Sequence, residues 1–271
     1  MNILITGADT KEAFATSGIL LEESIDFKIV GRNSLDIGFL YLTSLPEDKI
    51  IKETIADEIE YTKEKKFTHV LPFADFTQWA LAKRELEKLG IKVIVNSFES
   101  IRIVNDYFDL YKKCREDKII HPRTYKNHNE INYFPLEIKS RDKKNCFLVD
   151  SMRDVYNLTS GRRDVLVQQH LKGDIFKVIF IKNWCVCFRC LNEYIMEIIE
   201  NCPSQTKKII KSFGLDFGTL KFVNDSFIDA KPYIEWEFLG AGNFVLMNLL
   251  GENRPSSFVP GDKITKIPSV F

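Results

Sequence analysis

The chain has 271 residues, of which 45% are hydrophobic and 28% are charged, the ordinary composition of a globular protein. Lysine and arginine number 38, as do aspartate and glutamate, so the formal net charge is zero, which argues against broad electrostatic binding to nucleic acid or to an anionic membrane. Because the sequence has neither a long apolar span nor the basic start of a signal peptide, we expect a cytoplasmic protein of one or two domains with no nucleic-acid or membrane partner.

Short apolar runs alternate with amphipathic stretches over the first hundred residues. The apolar runs lie at 2–6, 27–31, 68–72 and 91–96, and the amphipathic stretches at 47–66 and 77–89. Continuously apolar strands that alternate with helices indicate a parallel sheet covered on both faces. We therefore predict an α/β, Rossmann-like domain over residues 1–104.

Gly7 follows the first predicted strand and opens a helix, as the turn of a nucleotide-binding motif does. The dinucleotide fingerprint needs three glycines at fixed spacing, and only Gly7 stands before Gly18. The alternatives are a nicotinamide-binding turn and a tight strand-to-helix turn, and the sequence favours the second.

The pattern changes from about residue 105. A helix is predicted over 105–117, capped by Asn105 or Asp106, and is followed by an extended segment that contains Pro122. Further strands are predicted at 134–140, 146–150, 164–171, 175–181, 184–189, 218–223 and 232–238, with helices over about 194–213 and from near Asn243. Strands joined by short polar turns indicate antiparallel pairing. We therefore predict an α+β domain over residues 105–271 with antiparallel sheets and an irregular tail at 251–271.

Three of the six cysteines cluster in "CVCFRC", as Cys185, Cys187 and Cys190. No fourth ligand lies at a zinc-like spacing, and cysteines of a cytoplasmic protein are expected to be reduced thiols. The alternatives are a metal site and buried strand thiols, and the sequence favours the thiols.

Glu235 and Glu237 lie in the apolar run "PYIEWEF", just before a Gly-Ala-Gly loop. Residues two apart in a strand point to the same face, so both carboxylates converge on one spot. Like charges held together away from water need a cation or a proton. The alternatives are Mg²⁺, which binds carboxylate and phosphate oxygens, and pairing of the two glutamates with Lys221 and another base across the sheet; the sequence favours the metal.

Two strand ends carry candidate nucleotide-binding groups. Lys139 closes an apolar strand, where its ammonium can reach a phosphate or simply extend into solvent. Gln168 and Gln169 close another strand, where side-chain amides can bind the edge of a purine. His170 has no evident serine or cysteine nucleophile partner, so we expect a structural histidine.

Lys177 and Arg189 lie on neighbouring predicted strands, 175–181 and 184–189. If these strands pair as a hairpin through the turn "KNW" (182–184), we expect both basic side chains on one surface. A basic pair on an otherwise apolar sheet face favours a phosphate ligand.

In this order the segments resemble the ATP-grasp superfamily of carboxylate–amine ligases, over most of the chain. Residues 1–104 look like the domain that precedes the grasp domain, and residues 105–271 look like the grasp domain. The stretch "KGDIFKVIFIKNWCVCFRC" resembles its counterpart in ligases that modify ribosomal proteins and peptides. The segment "PYIEWEFLGAGNF" is similar to the terminal magnesium strand, usually Glu-x-Asn followed by glycine.

The resemblance implies an ADP-forming ligase with ATP and Mg²⁺ as cofactors. Such an enzyme phosphorylates a carboxylate, and an amine then displaces phosphate from the acyl phosphate. The substrate is expected to be a small molecule or a peptide, and a homodimer is the commonest assembly of soluble enzymes. The resemblance implies that Lys139 binds the ATP phosphates, that Gln168 and Gln169 bind adenine, and that Asp174 binds ribose. It further implies that Lys221 contacts the nucleotide and that Lys177 and Arg189 act in catalysis at the acyl phosphate or the carboxylate substrate. Glu235 and Glu237 are implied to bind Mg²⁺.

Three residues and one loop depart from the family pattern. Tyr107 replaces the usual lysine beside the opening aspartate, and the loop 141–145 after Lys139 contains no glycine to cradle phosphates. Lys221 replaces the first metal-binding aspartate, and Glu237 replaces the asparagine. These departures motivate the alternative hypothesis, a degenerate domain that binds a nucleotide or a partner without ligating anything.

Overall fold

The computed structural model describes residues 1–42, 48–125, 128–192, 195–235, 239–252 and 259–265. Its strands form one parallel sheet and two antiparallel sheets. Among the described helices, none is both long enough and apolar enough to cross a membrane.

The first hundred residues form the predicted parallel sheet, with strand order β3-β2-β1-β4-β5. Its strands are β1 Asn2–Thr6, β2 Asp26–Gly31, β3 Lys49–Ile51, β4 His69–Pro72 and β5 Lys92–Val93. Its helices are α1 Lys11–Glu22, α2 Ile55–Glu64 and α3 Phe76–Lys88. The stretch 47–66 is helical only from Ile55, because Thr54 and Asp57 form a capping box there and the residues before it pair as the edge strand β3.

Gly7 forms the tight turn between β1 and α1 with φ of +75°. A Cβ atom at this position would lie 2.8 Å from the backbone nitrogen of Ala74. Both the left-handed conformation and the close approach require glycine, which confirms the predicted strand-to-helix turn.

Two helices meet at residue 106. The first, α4 Phe98–Asn105, was not predicted, and the second is α5 Tyr107–Glu116. The Asp106 carboxylate caps α5 by accepting from the backbone N–H groups of Phe108 and Asp109. Of the two predicted caps, Asp106 is therefore the correct one, and the domain boundary after residue 104 stays a prediction.

A small antiparallel sheet follows, with strand order β6-β9-β7-β8. Its strands are β6 Thr124–Tyr125, β7 Leu136–Ser140, β8 Cys146–Val149 and β9 Val165–Gln169. One face packs on α6 Met152–Thr159, an element that was not predicted, through apolar side chains that include Ile138 and Val167. Because side chains alternate along a strand, Glu137 and Lys139 of β7 and Gln168 of β9 lie on the other face.

A large antiparallel sheet completes the chain, with strand order β14-β13-β10-β11-β12-β15. Its strands are β10 Ile175–Ile181, β11 Trp184–Cys190, β12 Ile195–Ile199, β13 Phe217–Val223, β14 Ser226–Lys231 and β15 Lys263–Thr265. Two helices accompany it, α7 Thr206–Phe213 and α8 Leu239–Leu250. The short β15 lies within the predicted irregular tail.

Two predictions for this half are wrong. The expected helix over 194–213 begins only at Thr206, because Met196 and Ile198 alternate with half-buried neighbours and the segment pairs with β11 as strand β12. The expected strand over 232–238 is not a strand at 232–235, since Pro232 cannot donate to a sheet ladder and β14 ends at Lys231. Residues 236–238 lie outside the described residues.

The large sheet is packed on both faces. One face joins α1, α8 and the parallel sheet in a single apolar cluster. The other face packs on α5 and α7. Buried Asn96 links the halves: its Nδ2 donates to the carbonyls of Phe217 at 2.9 Å and Pro232 at 2.7 Å, and its Oδ1 accepts from the Asp216 N–H at 2.8 Å. This clamp fixes the segment that leads to Glu235.

Candidate functional site

A buried lysine occupies the polar face of the small sheet. Lys139 is 2% exposed, and its Nζ donates to Gln168 Oε1 at 2.7 Å and lies 2.7 Å from Glu137 Oε2. The rings of Tyr107 and Tyr111 lie 5.3 and 5.9 Å from the same nitrogen. A buried ammonium needs such partners because it has lost its hydration. Lys139 is therefore held by protein groups and does not extend into solvent.

The two predicted adenine ligands are not brought together. Gln168 is fully buried, and its Oε1 accepts from both Lys139 and the hydroxyl of Tyr111, at 3.1 Å for the hydroxyl. Gln169 is the next residue along β9, so its side chain points to the opposite face. Its backbone N–H already donates to the Arg123 carbonyl at 2.8 Å. Gln168 orients Lys139, and the structure does not place the Gln169 side chain beside it.

His170 forms part of the Lys139 surroundings. Its Nδ1 lies 2.8 Å from Glu137 Oε1, while the second oxygen of Glu137 faces Lys139. Burial alone would raise the pKa of Glu137, but Lys139 and His170 together hold that pKa below its ordinary value. His170 is thus a structural partner of a carboxylate, as predicted.

A buried carboxylate occupies the large-sheet side of the site. Glu235 is 7% exposed, its Oε2 lies 2.9 Å from Lys177 Nζ, and its Oε1 forms an ion pair with Lys231. The backbone N–H of Glu235 donates to Thr219 Oγ1 at 3.0 Å. Burial would raise the pKa of Glu235, but the two lysines lower it to about 2. The partners of Glu235 are therefore Lys177 and Lys231, and not Lys221 as the sequence-based alternative had it.

Lysines also dominate the sheet face beside Glu235. Lys177 on β10 stands directly opposite Lys221 on β13, and Lys221 stands opposite Asp229 on β14. Cross-strand partners share a face of the sheet, so these side chains lie in one row. Lys221 is exposed, and none of the ion pairs formed among the described residues includes it.

The loop 141–145 connects the two sheets. Lys143, with φ of +63°, donates from Nζ to the Asp229 carboxylate and to the Ala230 carbonyl, the latter at 3.2 Å. The same nitrogen lies 4.8 Å from the ring centre of Tyr107. Burial lowers the pKa of Lys143, opposed by Asp229 and reinforced by the nearby charges of Lys231 and Lys139. The loop, which lacks the glycines that would cradle phosphates, joins the small sheet to β14.

Arg189 does not share a surface with Lys177. The two strands form the predicted hairpin, but Lys177 stands opposite Phe188, so Arg189 lies on the other face. Arg189 Nε lies 3.1 Å from Glu197 Oε2, and the pKa of Arg189 is raised by Glu197 and more weakly by Asp174. Asp174 is exposed just before β10. Arg189 and Lys177 therefore lie on opposite faces of the sheet, and the expectation of one basic surface is wrong.

The described residues do not fit Mg²⁺. Glu237 lies outside them, and they contain no group of three or more histidine, cysteine, aspartate or glutamate side chains that could hold a metal. Two unit charges about 4 Å apart interact by about 4 kcal/mol at an effective dielectric constant of about 20, so each nearby ammonium would repel Mg²⁺ by about 8 kcal/mol. Glu235, enclosed by Lys177 and Lys231, is therefore a poor magnesium ligand.

The cysteine cluster is built from thiols. Cys187 is buried, and Cys185 Sγ lies 3.2 Å from Cys202 Sγ. The six cysteines are free. Cys185, Cys187 and Cys190 lie on β11, and Cys202 lies in the loop before α7.

Three residues of the candidate site were missed from the sequence: Lys143, Asp229 and Lys231. For Asp229 and Lys231 a signal existed, because residues two apart on β14 share a face. That strand was not recognised, since 232–238 was taken as the strand in its place. For Lys143 no local signal existed, because its partners on β14 are more than eighty residues away along the chain.

No family model matches the sequence, and no curated protein matches it significantly. Solved structures share its fold. N5-carboxyaminoimidazole ribonucleotide synthetase from Thermotoga maritima matches 95% of this chain and 78% of its own at 12% identity and a TM-score of 0.67. D-alanine–D-alanine ligase from Bacillus anthracis matches 86% and 87% at 15% identity and a TM-score of 0.62, and has also been solved with ATP. L-amino acid ligase from Bacillus licheniformis matches 92% and 74% at 13% identity and a TM-score of 0.61. At these identities the likeness establishes the fold.

Proposed function

Since the chain has the fold of the ATP-grasp ligases, we propose that it binds ATP between its two antiparallel sheets and uses it to join a carboxylate to an amine. One observation carries the proposal. Lysines from both sheets converge on one site, which we call the lysine cleft and define as Lys139, Lys143, Lys177, Lys221 and Lys231. Ammonium groups gathered in this way match a triphosphate and a phosphoryl group in transfer.

In the proposed reaction a carboxylate oxygen of the substrate attacks the γ-phosphorus of ATP, and ADP leaves. The amine then attacks the acyl carbon, and inorganic phosphate leaves. The protein contributes positioning and neutralisation of the phosphoryl oxygens. We assign Lys139 to the phosphates, and we assign Gln168 to holding Lys139 in place, because the Gln168 amide oxygen is already bound to that lysine. The roles of Asp174 and Arg189 toward ribose and substrate stay predictions.

Nucleotide entry requires the cleft to open. Lys139 is 2% exposed, and Lys143 joins the loop 141–145 to Asp229 on the far side. For a phosphate to reach Lys139, the loop must withdraw from β14. Closure of such a loop over the nucleotide would then exclude water from the acyl phosphate.

The proposal is tested by ADP release from ATP in the presence of pooled carboxylates and amines, including amino acids and short peptides. We expect ADP only when a carboxylate and an amine are both present. Lys139→Ala should abolish the reaction, because it removes the buried ammonium, whereas Lys144→Ala should not. Lys144 is the matched control, since it lies in the neighbouring loop with its side chain 79% exposed. ADP formation at an equal rate in both variants would contradict the proposal.

A second candidate function is nucleotide binding without ligation. The observation that favours it is the occupation of Glu235 by Lys177 and Lys231, which removes the carboxylate from magnesium chemistry. Tight ATP binding without ADP formation from any carboxylate and amine pool would favour this candidate over the ligase. A small-molecule or peptide substrate and a homodimeric assembly remain part of the ligase proposal.

A further inference from the structure

Two lysines of the cleft face each other across neighbouring strands. Lys177 on β10 and Lys221 on β13 are direct cross-strand partners, a relation that brings Cβ atoms to about 5 Å. Like charges so placed repel each other. Lys177 is engaged with Glu235, while Lys221 is exposed and outside every ion pair formed between described residues. An anion over this row would relieve the repulsion.

The carboxylates nearby do not supply that anion. Asp229, the other cross-strand partner of Lys221, forms its ion pair with Lys143. Glu235 is shared by Lys177 and Lys231. Glu12 of α1 also interacts electrostatically with Lys231, although burial raises the pKa of Glu12 and so favours its neutral form. Positive charge is therefore in excess along this face, in the part of the chain that the structure describes. Such a surface attracts a polyphosphate and repels a divalent cation.

We infer that the terminal phosphates of the nucleotide bind directly to Lys177, Lys221 and Lys231, and that these ammonium groups take the place of the magnesium ion that the fold leads one to expect. The inference rests on the proposed nucleotide binding and specifies how the phosphates are neutralised. Each ammonium offers three N–H donors, and hydrogen bonds from a charged donor to a charged phosphate are the strong kind. Lys231 and Lys177 contact the phosphates from the side on which Glu235 lies, and Lys221 contacts them from its solvent-exposed position.

Calorimetry with the full chain tests the inference. ATP is titrated in the presence of EDTA and, separately, in the presence of excess Mg²⁺. We expect ATP to bind at least as tightly in EDTA, because the free triphosphate carries more negative charge than its magnesium complex. Binding that requires Mg²⁺ would overturn the inference while leaving the proposed nucleotide binding intact. Absence of ATP binding under both conditions would overturn the proposed function itself, and the inference with it.

A charge-removing variant identifies the lysine involved. Lys221→Gln should weaken ATP binding in EDTA by about tenfold and leave AMP binding unchanged, because only the longer phosphate chain reaches this lysine. Lys182→Gln is the matched control: Lys182 is also exposed, and it lies in the turn at the opposite end of β10. Thermal unfolding should be unchanged in both variants. Equal ATP affinity of Lys221→Gln and the unaltered chain would overturn the inference.

Discussion

The two antiparallel sheets hold their buried charges in opposite ways. On the small sheet a buried ammonium, Lys139, is surrounded by acceptors, namely Glu137, Gln168 and two tyrosine rings. On the large sheet a buried carboxylate, Glu235, is surrounded by two ammonium groups. Among the described side chains, the first arrangement pairs one ammonium with one carboxylate, whereas the second places two ammonium groups against one carboxylate, and Lys221 adds a further positive charge on the same face. From this difference we expect charge, and not shape alone, to direct an anion to the large-sheet side.

The comparison makes Glu235 the most sensitive position. Glu235→Gln would leave Lys177 and Lys231 without their shared carboxylate, and removing one member of a buried ion pair costs about 3–5 kcal/mol. We expect a loss of that size in the free energy of unfolding measured with urea. The control is Glu197→Gln, whose partner Arg189 has a side chain 41% exposed, so the expected loss is much smaller. An equal loss of unfolding free energy in the two variants would contradict the stated role of Glu235 as a buried carboxylate shared by two lysines.

Acid should destabilise the fold by protonating the same carboxylate, Glu235. The pKa of Glu235 lies at about 2 in the folded chain, against a usual 4.5, so the folded state binds fewer protons between these values. The stabilisation is present above pH 4.5 and is lost as the pH falls towards 2, by about 3 kcal/mol. Urea unfolding at a series of pH values in this range should show the loss in the unaltered chain. The dependence of the free energy of unfolding on pH should be weaker in Glu235→Gln. An equal dependence on pH in both proteins would contradict the assignment of this stabilisation to Glu235.

The ion pair that connects the two sheets should contribute less to the free energy of unfolding than the buried charges at Lys139 and Glu235. Lys143→Ala removes the ammonium that joins the loop to Asp229 and Ala230, and we expect a loss of about 1–2 kcal/mol in the free energy of unfolding. Hydrogen exchange of the loop 141–145 should become faster, because its link to β14 is gone. In Lys144→Ala, which keeps that link, both quantities should stay as they are. Unchanged exchange in Lys143→Ala would mean that the ion pair does not hold the loop.

The smallest effect is expected at Arg189, on the other face of the large sheet. Arg189→Gln should leave the free energy of unfolding nearly unchanged, because its ion pair with Glu197 is partly exposed and screened by solvent. ATP affinity measured by calorimetry should be unchanged. A clear loss of ATP affinity would show that Arg189 reaches the nucleotide, and the separation of the two faces would have to be abandoned.

Much of the fold was predictable because its elements are long and strongly patterned. The continuously apolar strands of the parallel sheet and the β10–β11 hairpin were recovered from the sequence. The order of motifs correctly indicated the ATP-grasp fold, although at 12–15% identity no single segment does so. The elements that failed are short or ambiguous, such as α6 and the β12 segment, whose local pattern does not separate strand from helix.

The site was less predictable, for geometric reasons. The hairpin turn contains two residues, since Ile181 pairs with Trp184, whereas a turn that includes Trp184 was assumed. This shift of one residue moved Arg189 to the other face. The positive φ of Lys182 is typical of a two-residue turn, but it is not readable from a lysine. The contact between Lys143 and Asp229 is tertiary, and only the folded arrangement of the two sheets creates it.

The most direct test of the lysine cleft is a crystal structure with a non-hydrolysable ATP analogue and Mn²⁺, whose anomalous scattering locates the metal. The account predicts the terminal phosphates against Lys177, Lys221 and Lys231, with Glu235 still paired to its lysines and no manganese beside it. Manganese bound by Glu235, with Lys177 and Lys231 turned away from the carboxylate, would contradict it.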